Sequence, residues 1–302
     1  MSCRTLIVAL ACLSCGTQQA GAVFVLIDDF EDYTPGPIDD QGDWFAASTA
    51  SIVTADPADE FDQVLAVATD STRLYRDLLI ANTTVRVLFF RFRFHEQLSV
   101  SYGMSDSSSP DQFGDFEVEL SLTNASPDLR INDGGSYEFL HLLEPDVWYN
   151  VWIRIDNALD ESTVYLHHRP FSAARADDLL DADGQIAFEF RDSTAGDLRT
   201  FYIKTGGGSS QNVGPLYIDD IYLQDSPELN LHNPSITPPD LDANGYVDAL
   251  DYAVFCACLA GPGVTTPEPA CPADAFDLCD VDDDGDVDLR DYSAFEVLFR
   301  ID

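Results

Sequence analysis

Positive charge is what this chain has least of. Its 302 residues include 15 lysines and arginines against 54 aspartates and glutamates, a formal net charge of −39, and Lys204 is the only lysine. So acidic a chain repels the phosphates of nucleic acids and of anionic lipids, which excludes both as partners. Long apolar runs are also missing. The run Leu6–Leu13 is too short to span a bilayer and no later segment is long enough to cross one, so membrane insertion is not expected. Cysteine is absent between Cys15 and Cys256, and only five histidines are present.

What is present begins with a leader pattern: Arg4, the run Leu6–Leu13 and a small-residue cleavage sequence Ala20-Gly21-Ala22. It predicts export, with residues 1–22 removed and the mature protein secreted or held at a cell surface. Neither Cys12 nor Cys15 is preceded by the leucine-anchored sequence that lipidation requires. The chain is long enough for one sizeable domain and one small one.

Residues 23–225 read as the large domain. Short apolar or alternating runs recur at VFVLID (23), VLAVA (64), TVRVLFFRFRF (84), FEVELSL (116), VWYNVWIRID (147), TVYLHH (163), IAFEF (186), TFYIK (200) and LYIDDIYL (216), separated by Gly, Pro, Asp and Ser clusters. Many strands with little helical periodicity predict an all-β sandwich or jelly roll, with one short helix near Ser172–Leu180. Along the run from Trp148, Tyr149, Val151, Ile153 and Ile155 share the core face. Trp148, Asn150, Trp152 and Arg154 share the other, which is the better candidate for solvent and for sugar stacking through Trp152, Asn150 and Arg154. Trp44 and Tyr102 are further aromatic candidates, and Trp148 reads as buried rather than ligand-stacking.

The final third carries an internal repeat. DLDANGYVDALD (240–251) and DVDDDGDVDLRD (280–291) align at an offset of forty residues. Each places oxygen-bearing side chains at loop positions one, three, five, nine and twelve, with glycine at six, which is the spacing of a calcium loop. The predicted Ca2+ ligands are Asp240, Asp242, Asn244, Tyr246, Asp248 and Asp251 in the first, and Asp280, Asp282, Asp284, Asp286, Asp288 and Asp291 in the second. A helical stripe follows each loop, Tyr252/Phe255/Leu259 and Tyr292/Phe295/Phe299, which predicts two helices packed face to face. Cys256, Cys258, Cys271 and Cys279 bracket the connector. In an exported protein they predict two disulfides, Cys256 and Cys258 each bonding one of Cys271 and Cys279, while a zinc site lacks clustered histidines. The Pro-rich stretch 226–239 predicts a semi-rigid spacer.

Duplicated calcium loops, each followed by one helix and closed by Asp at position twelve, resemble the type I dockerin domain over residues 240–302. The resemblance implies a small all-α calcium-binding module that docks a secreted protein onto a cohesin-like or cell-surface partner, commonly in polysaccharide-degrading systems. The chain departs from the family at positions ten and eleven, where Ala249-Leu250 and Leu289-Arg290 replace the Ser-Thr type pair that recognises the partner.

The large domain carries a second resemblance. Its Trp-led strand, Asp-Asn turn and Val-Tyr-Leu strand (148–166) are similar to the central hairpin of concanavalin A-like and laminin-G-like jelly rolls, a fold hosting lectins, carbohydrate-binding modules, glycosidases and lyases. Two site expectations follow. In many jelly-roll carbohydrate-binding modules the first and last strands share a structural calcium, which implies ligands at Glu31 and Asp220, with Asp29; the alternative is that these are polar faces of edge strands. The GDFEVEL run, with Asp115, Glu117 and Glu119 alternating, resembles the E-x-D-x-E strand of laminarinase-like glycosidases. The resemblance makes Asp115 and Glu119 the catalytic candidates, against the alternative of a solvated strand face. YIKTG (202–206) resembles an alginate-lyase strand without its companion motif. His141, His167 and His168 have no matched nucleophile or metal spacing. The preferred reading is a noncatalytic glycan-binding component; a glycoside hydrolase or lyase and a structural surface protein are the alternatives.

Overall fold

The computed structural model describes residues 23–298 apart from 58–61, 69–71, 96–97, 124–125, 170–173, 194–195, 207–213, 232, 236–240, 242–248, 268, 273–274 and 281–284. The expected leader lies outside the described residues. Two antiparallel sheets face each other. One runs, edge to edge, Phe188–Glu189 (β14), Glu161–His167 (β13), Tyr149–Asp156 (β12), Val85–Phe94 (β7), Leu216–Gln224 (β16), Gln63–Val67 (β5), Ile52–Ala55 (β4) and Gly36–Pro37 (β2), and Phe24–Asp28 (β1) also pairs with β16. The other runs Ser136–Leu142 (β11), Ser126–Asp133 (β10), Val118–Thr123 (β9), Val100–Ser105 (β8), Leu198–Thr205 (β15), Arg73–Ile80 (β6) and Trp44–Ala46 (β3). This is the jelly-roll β-sandwich that the sequence predicts.

Period-two alternation decides which side chains meet between the sheets. Leu88, Phe90, Phe92 and Phe94 of β7 and Tyr149, Val151, Ile153 and Ile155 of β12 face Val118, Leu120 and Leu122 of β9 and Phe201 and Ile203 of β15 in one core. Phe90 spans the gap, with its ring 5.7 Å from Tyr102 and 5.5 Å from Phe201.

The outer face of the first sheet differs from expectation. Trp152 is 0% exposed and Asn150 is buried, so the face proposed for sugar stacking is not open to solvent. A second apolar cluster covers it: Val87, Phe89, Trp152, Tyr165 and Ala174, packed by Phe24, Leu179, Tyr222 and Leu231. The cover is held where the Ala174 N–H donates to the Leu231 carbonyl at 2.9 Å. Arg154 is half-buried and donates to Asp156 at 3.3 Å. Alternation identified the two faces correctly, but it carries no information about a distant segment that folds back over one of them. Leu231, within the 226–239 stretch, thus packs on the sandwich. The short helix expected near Ser172–Leu180 is only a 3-10 turn at Ala176–Asp178.

The C-terminal region forms a separate small core from helices Ala249–Cys258 (α1), Phe276–Cys279 (α2) and Leu289–Leu298 (α3). The predicted helix faces meet: Phe255 stacks on Phe295 with ring centres 4.8 Å apart, and Tyr252 lies 6.4 Å from Tyr292. Leu259 is 39% exposed and Phe299 lies outside the described residues. Cys258 bonds Cys271, whereas Cys256 is exposed and Cys279 buried, each free. Residues two apart on a helix point about 200° apart, so Cys258 faces the core and Cys256 solvent, which rules out the expected pair of bridges. Burial pushes the Cys279 thiol up to about 12, with Asp291 adding to the shift.

Trp152→Ala is expected to destabilise the sandwich by about 3 to 5 kcal/mol, read from the midpoint of urea unfolding. A midpoint that does not move would return Trp152 to a solvent-facing role.

Candidate functional site

The second acidic loop is described at Asp280 and from Gly285 onward. The Gly285 N–H donates to Asp280 Oδ2 at 2.9 Å, and Gly285 sits at φ +90°, a conformation that a side chain would strain. Beyond it Asp286, Asp288 and Asp291 are all buried, each with a carboxylate oxygen within 4.8 Å of the others. Asp288 and Asp291 also cap α3 reciprocally: Asp288 Oδ1 accepts the Arg290 N–H at 2.6 Å and Asp291 Oδ2 accepts the Asp288 N–H at 2.7 Å. Asp286, the predicted ligand at position seven, joins the cluster through its side chain, and its Oδ2 also accepts the Gly263 N–H at 2.5 Å. Asp251, which aligns with Asp291, is likewise fully buried at the start of α1. Asp240, Asp242, Asn244, Tyr246, Asp248, Asp282 and Asp284 lie outside the described residues. Three buried carboxylates this close suit an oxygen-seeking divalent cation, since each like-charge pair at about 4 Å costs about 4 kcal/mol at an effective dielectric near 20.

At the strand ends, β1 and β16 pair as expected, Leu26 opposite Tyr222 and Asp28 opposite Ile221. Asp220 lies 3.0 Å from Arg91 Nε, and Arg91 also reaches Asp219 at 2.8 Å and Asp62 at 3.3 Å. Glu31 accepts the Gln63 N–H at 2.6 Å, and Asp29 the Glu31 N–H at 3.3 Å. Burial pushes the Glu31 carboxyl up to about 7 and that of Asp220 up to about 6, with Asp62 and Asp29 adding repulsion at both. Among the described residues the only trio of carboxylates with oxygens within 4.8 Å of one another is the one on the second loop. A sequence pattern does not reveal the Arg91 pairs, because Arg91 lies on β7, far from both termini of the domain.

Of the GDFEVEL carboxylates only Glu119 lies on β9, and the three occupy different settings. Asp115 ends a 3-10 turn, where its Oδ2 accepts the Asp111 and Gln112 N–H groups at 2.6 and 2.8 Å. Glu119 is 0% exposed; it accepts hydrogen bonds from Ser101 (2.7 Å), Tyr137 (2.6 Å), Asn132 (3.1 Å) and Arg191 (2.6 Å). These two carboxylates are therefore tied into separate networks, and neither is a solvated strand residue. Glu117, the middle one, is 6% exposed, and its Oε2 is buried without a hydrogen-bond partner. Burial pushes its carboxyl up to about 8, with Asp106, Asp192 and Asp160 adding repulsion.

Beside this network lies a cavity of about 400 Å³, lined chiefly by Asp160, Glu161, Glu189, Arg191, Asp192 and Ser193. The β10–β11 turn at Gly134 forms another wall, and Tyr137 of β11, 43% exposed, has its hydroxyl 3.3 Å from Arg191 Nη1. Sequence reasoning missed this cavity. The Asp133-Gly134-Gly135 turn between two apolar runs was the available signal for the hairpin that borders it.

The other expected aromatics divide. Trp44 and Tyr102 are buried core residues. Trp148 is half-buried; its indole donates to Asp56 at 2.9 Å and Arg91 lies 4.9 Å from its ring centre. His167 is buried against Trp152, while His141 is exposed.

No known family profile matches the chain, and no curated protein does. Similar solved structures include a sialidase (13% identity, 66% of this chain, 18% of that chain, TM-score 0.47) and the catalytic domain of a glycoside hydrolase family 131 protein from Coprinopsis cinerea (13%, 70%, 98%, 0.48). Peanut lectin is a third (9%, 68%, 98%, 0.44). The chain thus spans under a fifth of the sialidase. At these identities and scores no residue role or activity transfers.

The raised Glu117 carboxyl fixes the sign of a pH effect. The unfolded chain loses this proton near pH 4.5 and the folded chain near 8, so the contribution is complete below about 4.5 and is lost as pH rises through 8. The sandwich should weaken over that interval by an amount on the order of a few kcal/mol, and Glu117→Gln should flatten the slope. Thermal unfolding from pH 5 to 8 at fixed calcium measures it. Parallel slopes for the two proteins would contradict the assignment.

Proposed function

We propose that this is an exported, calcium-stabilised modular protein: a glycan-binding jelly roll carried on a dockerin-like C-terminal module for attachment to a cohesin-like or other cell-surface partner. The observation that carries the reading is the convergence of Asp286, Asp288 and Asp291 behind Gly285. A twelve-residue loop that turns on a glycine and directs carboxylates inward suits Ca2+, a hard cation bound by six to eight oxygens. When bound, the ion supplies no chemistry beyond charge: it replaces mutual repulsion with attraction. The loop residues then hold the start of α3 against Phe255 and Phe295.

Support for the glycan half comes from the cavity next to β11. Carboxylates accept hydrogen bonds from sugar hydroxyls, Arg191 borders the same wall, and the exposed ring of Tyr137, whose hydroxyl lies 3.3 Å from Arg191, offers an apolar face for a pyranose. Among the described residues no helix is long and apolar enough to cross a membrane.

Calorimetry of the full chain tests the calcium half. At a hundredfold excess over its dissociation constant, calcium should stabilise the C-terminal unit by about 2.7 kcal/mol per site. Chelation should abolish that unit's transition and leave the sandwich transition in place, and Asp291→Ala should mimic chelation. Thermograms identical with and without chelator would refute it. For the glycan half, immobilised polysaccharides should retain the protein, and Ser193→Trp, which narrows the cavity mouth, should release it; retention by none of them would sink that half.

A further inference from the structure

The cavity beside β11 is unusually negative for a sugar site. Its wall carries Asp160, Glu161, Glu189 and Asp192 against one cation, Arg191. That cation is already engaged, with Nη1 2.6 Å from Glu119 Oε2 and 3.3 Å from the Tyr137 hydroxyl. Behind the wall stands Glu117, whose carboxyl accepts the Asp192 backbone N–H, lies in the field of Asp192 and Asp160, and keeps Oε2 buried without a partner. Two main-chain bonds lock this arrangement: the Arg191 N–H donates to the Glu117 carbonyl at 2.8 Å, and the Phe190 N–H to the Asp160 carbonyl at 2.8 Å. These bonds fix the backbone that carries Asp160 and Arg191.

A bare metal ion does not match the geometry. Among the described residues no three of these carboxylates bring oxygens within 4.8 Å of one another, in contrast to the C-terminal loop. A space of about 400 Å³ is also the size of a site for a small organic group.

We infer that the cavity takes a sugar bearing a free amine, its ammonium group placed against Asp160 and Asp192 with Glu117 behind them. The inference rests on the glycan-binding reading and narrows it to cationic amino-sugar polymers. The proton balance follows from the wall chemistry. With no ligand Glu117 carries a proton at neutral pH, because burial disfavours its charged form and Asp106, Asp192 and Asp160 add repulsion. The incoming ammonium supplies the missing positive charge, Glu117 ionises, and its proton leaves to the buffer. The protein's overall charge of −39 also raises the local concentration of any cationic oligosaccharide, so binding must be shown to depend on this wall and not on the surface at large.

Isothermal titration calorimetry of the full-length protein near pH 6 tests it, with a glucosamine hexamer and its N-acetylated counterpart, each in two buffers of different ionisation enthalpy. The free-amine oligomer is expected to bind at least tenfold tighter, with a proton released to the buffer that disappears in Glu117→Gln. Asp160→Asn/Asp192→Asn should abolish the preference. Equal affinity for the two oligomers would overturn the inference, as would a preference unchanged in the double variant. If neutral polysaccharides still bind and Ser193→Trp still releases them, the glycan reading survives that failure; if neither kind of sugar binds, both fall.

Discussion

Every carboxylate that this chain buries needs a counter-charge, and the chain has few to give. With 54 acidic and 15 basic side chains, arginine is the limiting component. The sandwich places its arginines where burial is deepest. Arg76 pairs with Asp28 below Trp44, Arg91 with Asp219 and Asp220, Arg93 with Asp56, Arg169 with Asp178 and Arg191 with Glu119. A buried carboxylate without such a partner is costly, so these pairs decide which polar groups the sheets can cover.

Where no arginine is supplied, two other solutions are seen or implied. Glu117 keeps its proton, a neutral group in an acidic wall. Asp286, Asp288 and Asp291 crowd together with no arginine among the cluster's defining groups, and a divalent cation is the counter-charge that their spacing fits. The three solutions differ in permanence. Arginine pairs are built into the fold, the proton follows pH and the metal follows its concentration. On this proposal the sandwich responds to pH through Glu117, and the C-terminal module responds to the metal.

Much of this was legible in the sequence. All nine strand runs read from alternation correspond to strands, and the calcium-loop spacing located the carboxylates that converge behind Gly285. What failed were inferences that need three-dimensional neighbours. Alternation placed Trp152 on the outer face but could not show Ala174 and Leu231 closing over it. Comparison with a known strand pattern pointed to Asp115 and Glu119, whereas the chemically unusual carboxyl is Glu117 between them, because only packing decides which of three alternating acids loses water and partners. The Arg91 pairs were invisible for the same reason, their members lying more than a hundred residues apart in the case of Asp219. The cysteine pairing erred by one turn geometry: Cys256 and Cys258 cannot both face the connector.

The central claim is that a bound divalent ion supplies the charge that the C-terminal carboxylates lack. Its most direct test is the metal content of the full-length protein after exhaustive dialysis against metal-free buffer with trace calcium restored, measured by plasma emission spectroscopy. The account predicts two calcium ions per chain, falling to one in Asp291→Ala. A metal-free protein with its C-terminal helices intact would contradict it.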